Sequence, residues 1–124
     1  MKTFTKGELE IMKVLWDHGA LKPGEIQERH PRDIRNAALR SALLVLMEKG
    51  HVTREREGKA FVYRAVSKPR KEFKKMTRRL ADIFCAGSAK ELIAQLIESE
   101  RLTDDELKEI EAIATAKKKT TGKK

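Results

Sequence analysis

The chain is short of several things that whole classes of function depend on. One cysteine, Cys85, stands among 124 residues, so no internal disulfide can form. The first residues, Met1-Lys2-Thr3-Phe4, hold no apolar signal core. A reducing, bacterial cytoplasm is therefore the expected location. The longest apolar run, residues 42–47, is far below the roughly 20 residues of a membrane span, which argues against membrane insertion. His18, His30 and His51 have no Glu or Cys at metal-ligand spacing, so no metal and no cofactor is expected. There is no phosphate-cradling glycine loop and no nucleophile elbow, and Cys85 beside Phe84 reads as a small buried hydrophobe. These absences exclude catalysis. A chain of this length makes one domain, or one small domain with an extension.

Positive charge is abundant. The formal charge is +9, with a sequence pI near 9.8, which favours a polyanionic partner. Residues 1–67 carry net +4, 68–87 net +5, 88–116 net −5 and the last eight net +5. Only part of the molecule is therefore suited to meet a polyanion.

Residues 33–50 organise the rest. Leu39, Ala42, Leu43 and Leu46 recur at i, i+3, i+4 and i+7, the stripe of a core-facing helix, with an acid before it and Gly50 after it. Ala37, Ala38, Ser41 and Val45 fall on the opposite face, with Arg40 and Leu44 at its edge. Together with Arg35 and Asn36 these small and basic residues suit a helix lying closely against a groove. Leu44, Val45 and Met47 also fit an ordinary buried helix, and this stretch by itself leaves both readings open.

Upstream, Thr5-Lys-Gly-Glu8 is a capping box, and Phe4 and Leu9 have the spacing of a hydrophobic staple. Leu9, Met12, Leu15 and Trp16 form the expected buried stripe, and Gly19 stops the helix. A short second helix follows with Pro23 near its first position and Ile26 as inward anchor; His30-Pro31 ends it. Short helix, turn and longer helix make a helix-turn-helix pattern. Residues 51–56 and 59–66 are β-prone runs separated by Glu57-Gly58. Three helices and a basic hairpin predict a winged helix over residues 1–67. Arg54, Arg56 and Lys59 crowd the turn where a wing meets a sugar-phosphate backbone, although Glu55 and Glu57 offset part of that charge.

Residues 68–116 read as three more helices. Phe73, Met76, Leu80, Ile83 and Phe84 form nearly a heptad seam; Leu92, Ile93, Leu96 and Ile97 make a second apolar face; Leu107, Ile110 and Ile113 make a third. Ser88-Ala-Lys-Glu91 and Thr103-Asp-Asp-Glu106 are further capping boxes, the second flanked by a Leu102/Leu107 staple. Helices this narrow-striped, beyond a complete winged helix, are expected to bury their seams against a second copy of the chain, the other reading being a single bundle folded back on the N-terminal domain. The fold class is thus mainly α with a small β-hairpin: a winged helix-turn-helix and a three-helix dimerisation region. Residues 117–124 read as a disordered basic tail, an extra anchor on nucleic acid. The competing function is a winged helix that binds protein, as a scaffold.

Taken in order, several pieces resemble the BlaI/MecI/CopY family of bacterial penicillinase-type repressors. They are Glu8-Leu-Glu-Ile-Met-Lys-Val-Leu-Trp16, Leu39-Arg-Ser-Ala-Leu43, Glu48-Lys-Gly-His-Val52, Gly58-Lys-Ala-Phe-Val-Tyr63, and Ala86-Gly-Ser88 leading to Leu102-Thr-Asp-Asp-Glu-Leu107. The last pair is the discriminating part. The resemblance implies a homodimer on an inverted repeat of double-stranded DNA, with the third helix in the major groove. It also implies base-reading roles for Arg40 and Ser41. Ala38 stands where better-known members have Thr, and Val45 where they have Arg, so their operator does not transfer. Penicillinase-type members answer to an upstream sensor protease, often through an Asn-Phe bond; here Gln95-Leu96 takes that place. Copper-responsive members end in clustered cysteines, where this chain has only Cys85.

Overall fold

Thr5 starts the first helix by the chemistry its sequence announces. In the computed structural model, which describes residues 3–121, helix α1 spans Lys6–His18. The Thr5 hydroxyl accepts from the Glu8 backbone N–H at 3.1 Å, and the Glu8 carboxylate accepts from the Thr5 N–H at 2.9 Å. Helix α2 (Pro23–Arg29) opens on proline, with the Glu25 carboxylate accepting from the Lys22 N–H at 2.8 Å. Helix α3 spans Asn36–Glu48. It starts later than the expected acid at Asp33, with Arg35 as its N-cap, because residues 31–35 form the turn from α2. Strands β1 (Val52–Glu57) and β2 (Ala60–Ala65) pair antiparallel, Val52 opposite Ala65 and Glu57 opposite Ala60.

That register moves the expected turn. Glu57 belongs to β1, and the two-residue loop is Gly58-Lys59, with Gly58 at φ 64. A two-residue hairpin loop needs positive φ, which glycine adopts without a Cβ clash. Lys59 is therefore at the tip of the wing rather than in a strand.

The chain divides into two units, Met1–Lys75 and Met76–Lys124. The division lies inside helix α4 (Pro69–Phe84), beyond the expected position after residue 67. The segment leaving β2 is tied to the first unit: the Trp16 indole donates to the Ser67 carbonyl at 2.8 Å, and the Ser67 hydroxyl meets the His51 ring.

The core of the first unit is built from Ile11, Met12 and Leu15 of α1, Ile26 of α2, and Leu39, Leu43 and Leu46 of α3. Val14, Leu21, Val52 and Tyr63 complete it. Trp16 and Leu9, expected in the buried stripe, are only half-buried; Ile11 and Val14 take the deeper places. The α1 face is centred differently because α2, α3 and β2 all pack on it. Leu21 is not merely a lead-in to α2. It exchanges backbone hydrogen bonds with Tyr63 at 2.9 and 2.8 Å, adding a one-residue bridge to the hairpin.

Glu8 is a buried carboxylate with a second partner, the Lys49 ammonium at 2.7 Å. Burial would raise its pKa, but the Lys49 hydrogen bond, the Thr5 amide and the charges of Lys49 and His51 outweigh it and hold the carboxyl below its ordinary value. The folded state thus favours the ionised form. Its contribution is present above the ordinary carboxylate range and lost as pH falls through the depressed folded value. Glu8→Ala is expected to cost about 1–3 kcal/mol at pH 7, since it removes a cap and leaves Lys49 only its hydrogen bond to the Thr3 carbonyl, without a counter-charge. In urea unfolding the gap between variant and wild type should close progressively below pH 4.5.

In the second unit, α4 ends where Ala86 and Gly87 take φ 49 and φ 83, and the Gly87 N–H reaches the Ala81 carbonyl at 3.0 Å. Ser88 caps α5 (Ala89–Ser99) by accepting from the Glu91 N–H at 3.0 Å. Thr103 and Glu106 exchange both bonds of a capping box, at 3.1 and 2.9 Å, ahead of α6 (Asp104–Thr121). Helix α6 runs on through Lys117 to Thr121, into the stretch expected as a tail. Ala112, Ala114 and Ala116 favour helix, and lysines suit the negative end of its dipole. The rest of that tail lies outside the described residues.

Apolar burial in the described part of this unit is confined to Ala81 and Cys85. Phe73 and Phe84 are each 68% exposed, and Met76, Leu80, Ile83, Ile93, Leu96, Ile97, Leu107 and Ile113 are exposed as well. Leu92 and Ile110 are half-buried. Among the described residues no helix is long and apolar enough to cross a membrane.

Candidate nucleic-acid interface

Helix α3 has two faces of opposite character. Leu39, Leu43 and Leu46 are fully buried and fix the helix against α1, α2 and β1. Ala37, Ala38, Arg40, Ser41, Leu44 and Val45 are exposed on the other side, and Arg35 and Asn36 are exposed at the N-terminal end. The face inferred from helical spacing is therefore the one presented to solvent. Small side chains let a flat surface approach the helix backbone closely. The first turn of α3 contains no acid, and its N-cap Arg35 makes no side-chain cap bond. Its leading N–H groups and dipole therefore favour an anion there.

The polar groups at this end are ordered. The Arg40 Nε–H donates to the Asn36 carbonyl Oδ1 at 2.7 Å, and the Asn36 amide donates to Gln27 Oε1 at 3.4 Å. Gln27, on α2, donates to the Ile34 carbonyl at 2.8 Å. Sequence reasoning did not single out Gln27. Its partners are on another helix and in the intervening turn, so no local spacing marks it. Arg32, by contrast, is engaged with Glu10 of α1 and is tied to the fold. Two histidines read as turn residues have buried rings: His51 meets Ser67, and His30 packs its Nε2 4.0 Å from Glu10.

The wing separates charges that the linear sequence interleaves. Arg54 lies opposite Tyr63 and Arg56 opposite Phe61, so both arginines share one face of the hairpin with the two aromatic rings. Glu55 and Glu57, opposite Val62 and Ala60, fall on the other face. Across the hairpin the acids are therefore set apart from the arginines. The arginines differ from each other. The Arg54 guanidinium sits 4.0 Å over the Phe61 ring and donates to the Tyr63 hydroxyl at 3.1 Å, whereas Arg56 is exposed at 5.4 Å from the same ring. Arg56 and the tip residue Lys59 are the more available cations; Arg54 also braces the wing.

No group of three or more His, Cys, Asp or Glu side chains that could hold a metal occurs among the described residues. What the described residues present is an exposed face of α3 and a hairpin with two arginines on one side.

A solved structure of a MarR family protein from Bacillus stearothermophilus matches 90% of this chain and 76% of its own, at 17% identity and a TM-score of 0.50, a likeness of fold. The solution structure of the Bacillus licheniformis BlaI monomeric form in complex with the blaP half-operator is 28% identical, covering 54% of this chain and 84% of that one, with a TM-score of 0.48. The penicillinase repressor of Bacillus licheniformis is 24% identical over 105 residues, 83% of this chain and 82% of that protein. The family model for the penicillinase repressor matches residues 4–116, nearly the whole chain, and the protein belongs to that family of winged-helix transcriptional repressors.

Proposed function

We propose that the protein represses transcription as a homodimer, each protomer laying α3 in the major groove of one half of an inverted-repeat operator. The observation that carries this reading is the two-faced α3: three buried leucines on one side, and an exposed face of alanines, Ser41, Val45 and Arg40 on the other. In it, Arg40 and Ser41 read base edges, Ala37, Ala38 and Val45 give close apolar contact, and Arg35 with the start of α3 meets phosphate. Asn36 supports this edge. Arg56 and Lys59, with Arg54 behind them, hold the wing to the backbone.

The dimer reading rests on the exposed side chains of α4, α5 and α6: Phe73, Met76, Leu80, Ile83, Phe84, Ile93, Leu96, Ile97 and Leu107, with Leu92 and Ile110 at their margins. So much exposed apolar surface marks a contact surface. An upstream sensor protease is a partner the family implies. The Gln95-Leu96 bond it would have to cut stands inside α5.

A salt titration on genomic fragments, including the region upstream of the protein's own gene, tests the reading. If a dimer neutralises about six phosphates, affinity should fall roughly 10³-fold between 50 and 200 mM salt. Binding that ignores salt would favour a protein-binding scaffold, and no fragment retained above background would sink the proposal. Within it, Arg40→Ala should lose about 1–3 kcal/mol on the best sequence and relax preference at one base pair. Arg56→Ala should weaken all sequences alike and reduce the salt slope by about one.

A further inference from the structure

The first turn of α3 is joined to α2 by a chain of side-chain hydrogen bonds whose polarity is fixed from one end. The Ile34 carbonyl can only accept, so the Gln27 amide must turn its NH₂ toward it, at 2.8 Å. Gln27 Oε1 is then left facing Asn36, whose Nδ2 donates to it at 3.4 Å. Asn36 must in turn show its carbonyl oxygen to Arg40, and that oxygen accepts from Arg40 Nε at 2.7 Å. Reversing any amide would set donor against donor or acceptor against acceptor.

Two consequences follow for the reading edge. Asn36 commits one N–H to Gln27 and one oxygen lone pair to Arg40, so its amide is oriented by the protein, with one N–H and one lone pair remaining. Arg40 has spent its Nε–H, and its remaining N–H groups are on the two terminal nitrogens. An arginine presented through those nitrogens is a fork matching the O6 and N7 acceptors of guanine. An unrestrained arginine on an exposed helix face would have to lose its rotamer freedom on binding.

We propose that Gln27 is a positioning residue for base recognition: acting through Asn36, it holds Arg40 in an end-on pose selective for guanine. The proposal rests on the DNA-binding reading of α3, and it places part of the operator specificity on a helix that does not itself enter the groove.

The full-length protein is used to select from a pool of random duplexes, and the best duplex and a random one are then titrated. Gln27→Met keeps length and apolar bulk but removes both polar ends. It is expected to lower affinity for the best duplex about tenfold, the loss confined to one guanine pair per half-site, with random-duplex affinity unchanged. In an Arg40→Ala background it should add nothing further, because the group it positions is gone. A merely structural role would weaken all sequences and add to the Arg40→Ala loss. Asn36→Ala breaks the same chain at an exposed position and should relax the same base pair. In the free protein, the Arg40 Nε–H should exchange with water more slowly in wild type than in Gln27→Met. Selection of a duplex whose base preference Gln27→Met and Asn36→Ala leave intact overturns the positioning role and leaves DNA binding standing. Failure of the wild type to enrich any duplex overturns both.

Discussion

Leu80→Asp is expected to give a monomer that still folds as a winged helix. Leu80 is 43% exposed in the single chain, on a helix that also exposes Met76, Ile83 and Phe84. In the proposed dimer these side chains face a second copy, and a carboxylate placed among them would be stripped of water without a partner, a cost of several kcal/mol. As an isolated chain the variant exposes that carboxylate and suffers little. Sedimentation should therefore report 14.2 kDa where the wild type reports twice that mass. The effect on DNA should be larger still. Binding of the second half-site is intramolecular in a dimer, so its loss lowers affinity for the full repeat by roughly 10²–10⁴ while half-site affinity persists. Leu96→Asp should act alike from α5. If both variants sediment and bind as wild type, the protomers meet elsewhere.

What the sequence made legible was mostly local. The boxes at Thr5/Glu8 and Thr103/Glu106 are complete within four residues, and both form with the bonds their spacing implies. Pro23 marked the start of α2, but Lys22 is not a capping residue type, so nothing in the spacing announced that its N–H donates to the Glu25 carboxylate. Periodicity identified α1 but misplaced the centre of its buried arc. A helix packed on several sides buries a wide stripe, and an apolar count along the chain does not say which residue is deepest. The Leu21–Tyr63 bridge joins positions far apart in sequence and leaves no local trace. The tail from Lys117 was read by composition alone, which hides the helix-favouring alanines just ahead of it.

The candidate interface was legible by subtraction. Once Leu39, Ala42, Leu43 and Leu46 were assigned inward, Ala37, Ala38, Arg40, Ser41, Leu44 and Val45 were left to face out, and they are exposed; Ala42 and Met47 are half-buried against the core. The wing was harder because its charge was summed along the chain. A strand alternates faces, so Arg54 and Arg56 belong together and Glu55 and Glu57 apart from them, which the pairing with Phe61 and Tyr63 makes plain. Asn36 was grouped with the groove-facing residues because it stands at the right end of the right helix. Its engagement by Gln27 is a contact between helices that no spacing on α3 could reveal.

The two faces of α3 can be tested against each other. Leu43 has no exposed surface and is packed between helices and hairpin. Leu43→Ala should cost about 2–5 kcal/mol, the lost transfer free energy plus that of an incompletely collapsed cavity. Against the 5–15 kcal/mol typical of a whole domain, that is a large share of its stability. Urea unfolding should show a lower midpoint with little change in slope, and DNA binding should fall only as far as the folded fraction falls. Val45 is on the other face and 39% exposed. Val45→Ala should therefore change stability by less than about 1 kcal/mol, and its effect should appear in affinity for DNA without a matching loss of folded protein. The contrast isolates the point on which the functional reading stands. If Val45→Ala destabilises the chain as much as Leu43→Ala does, the outward face of α3 is packed on protein in solution, and α3 cannot also lie in a groove of DNA.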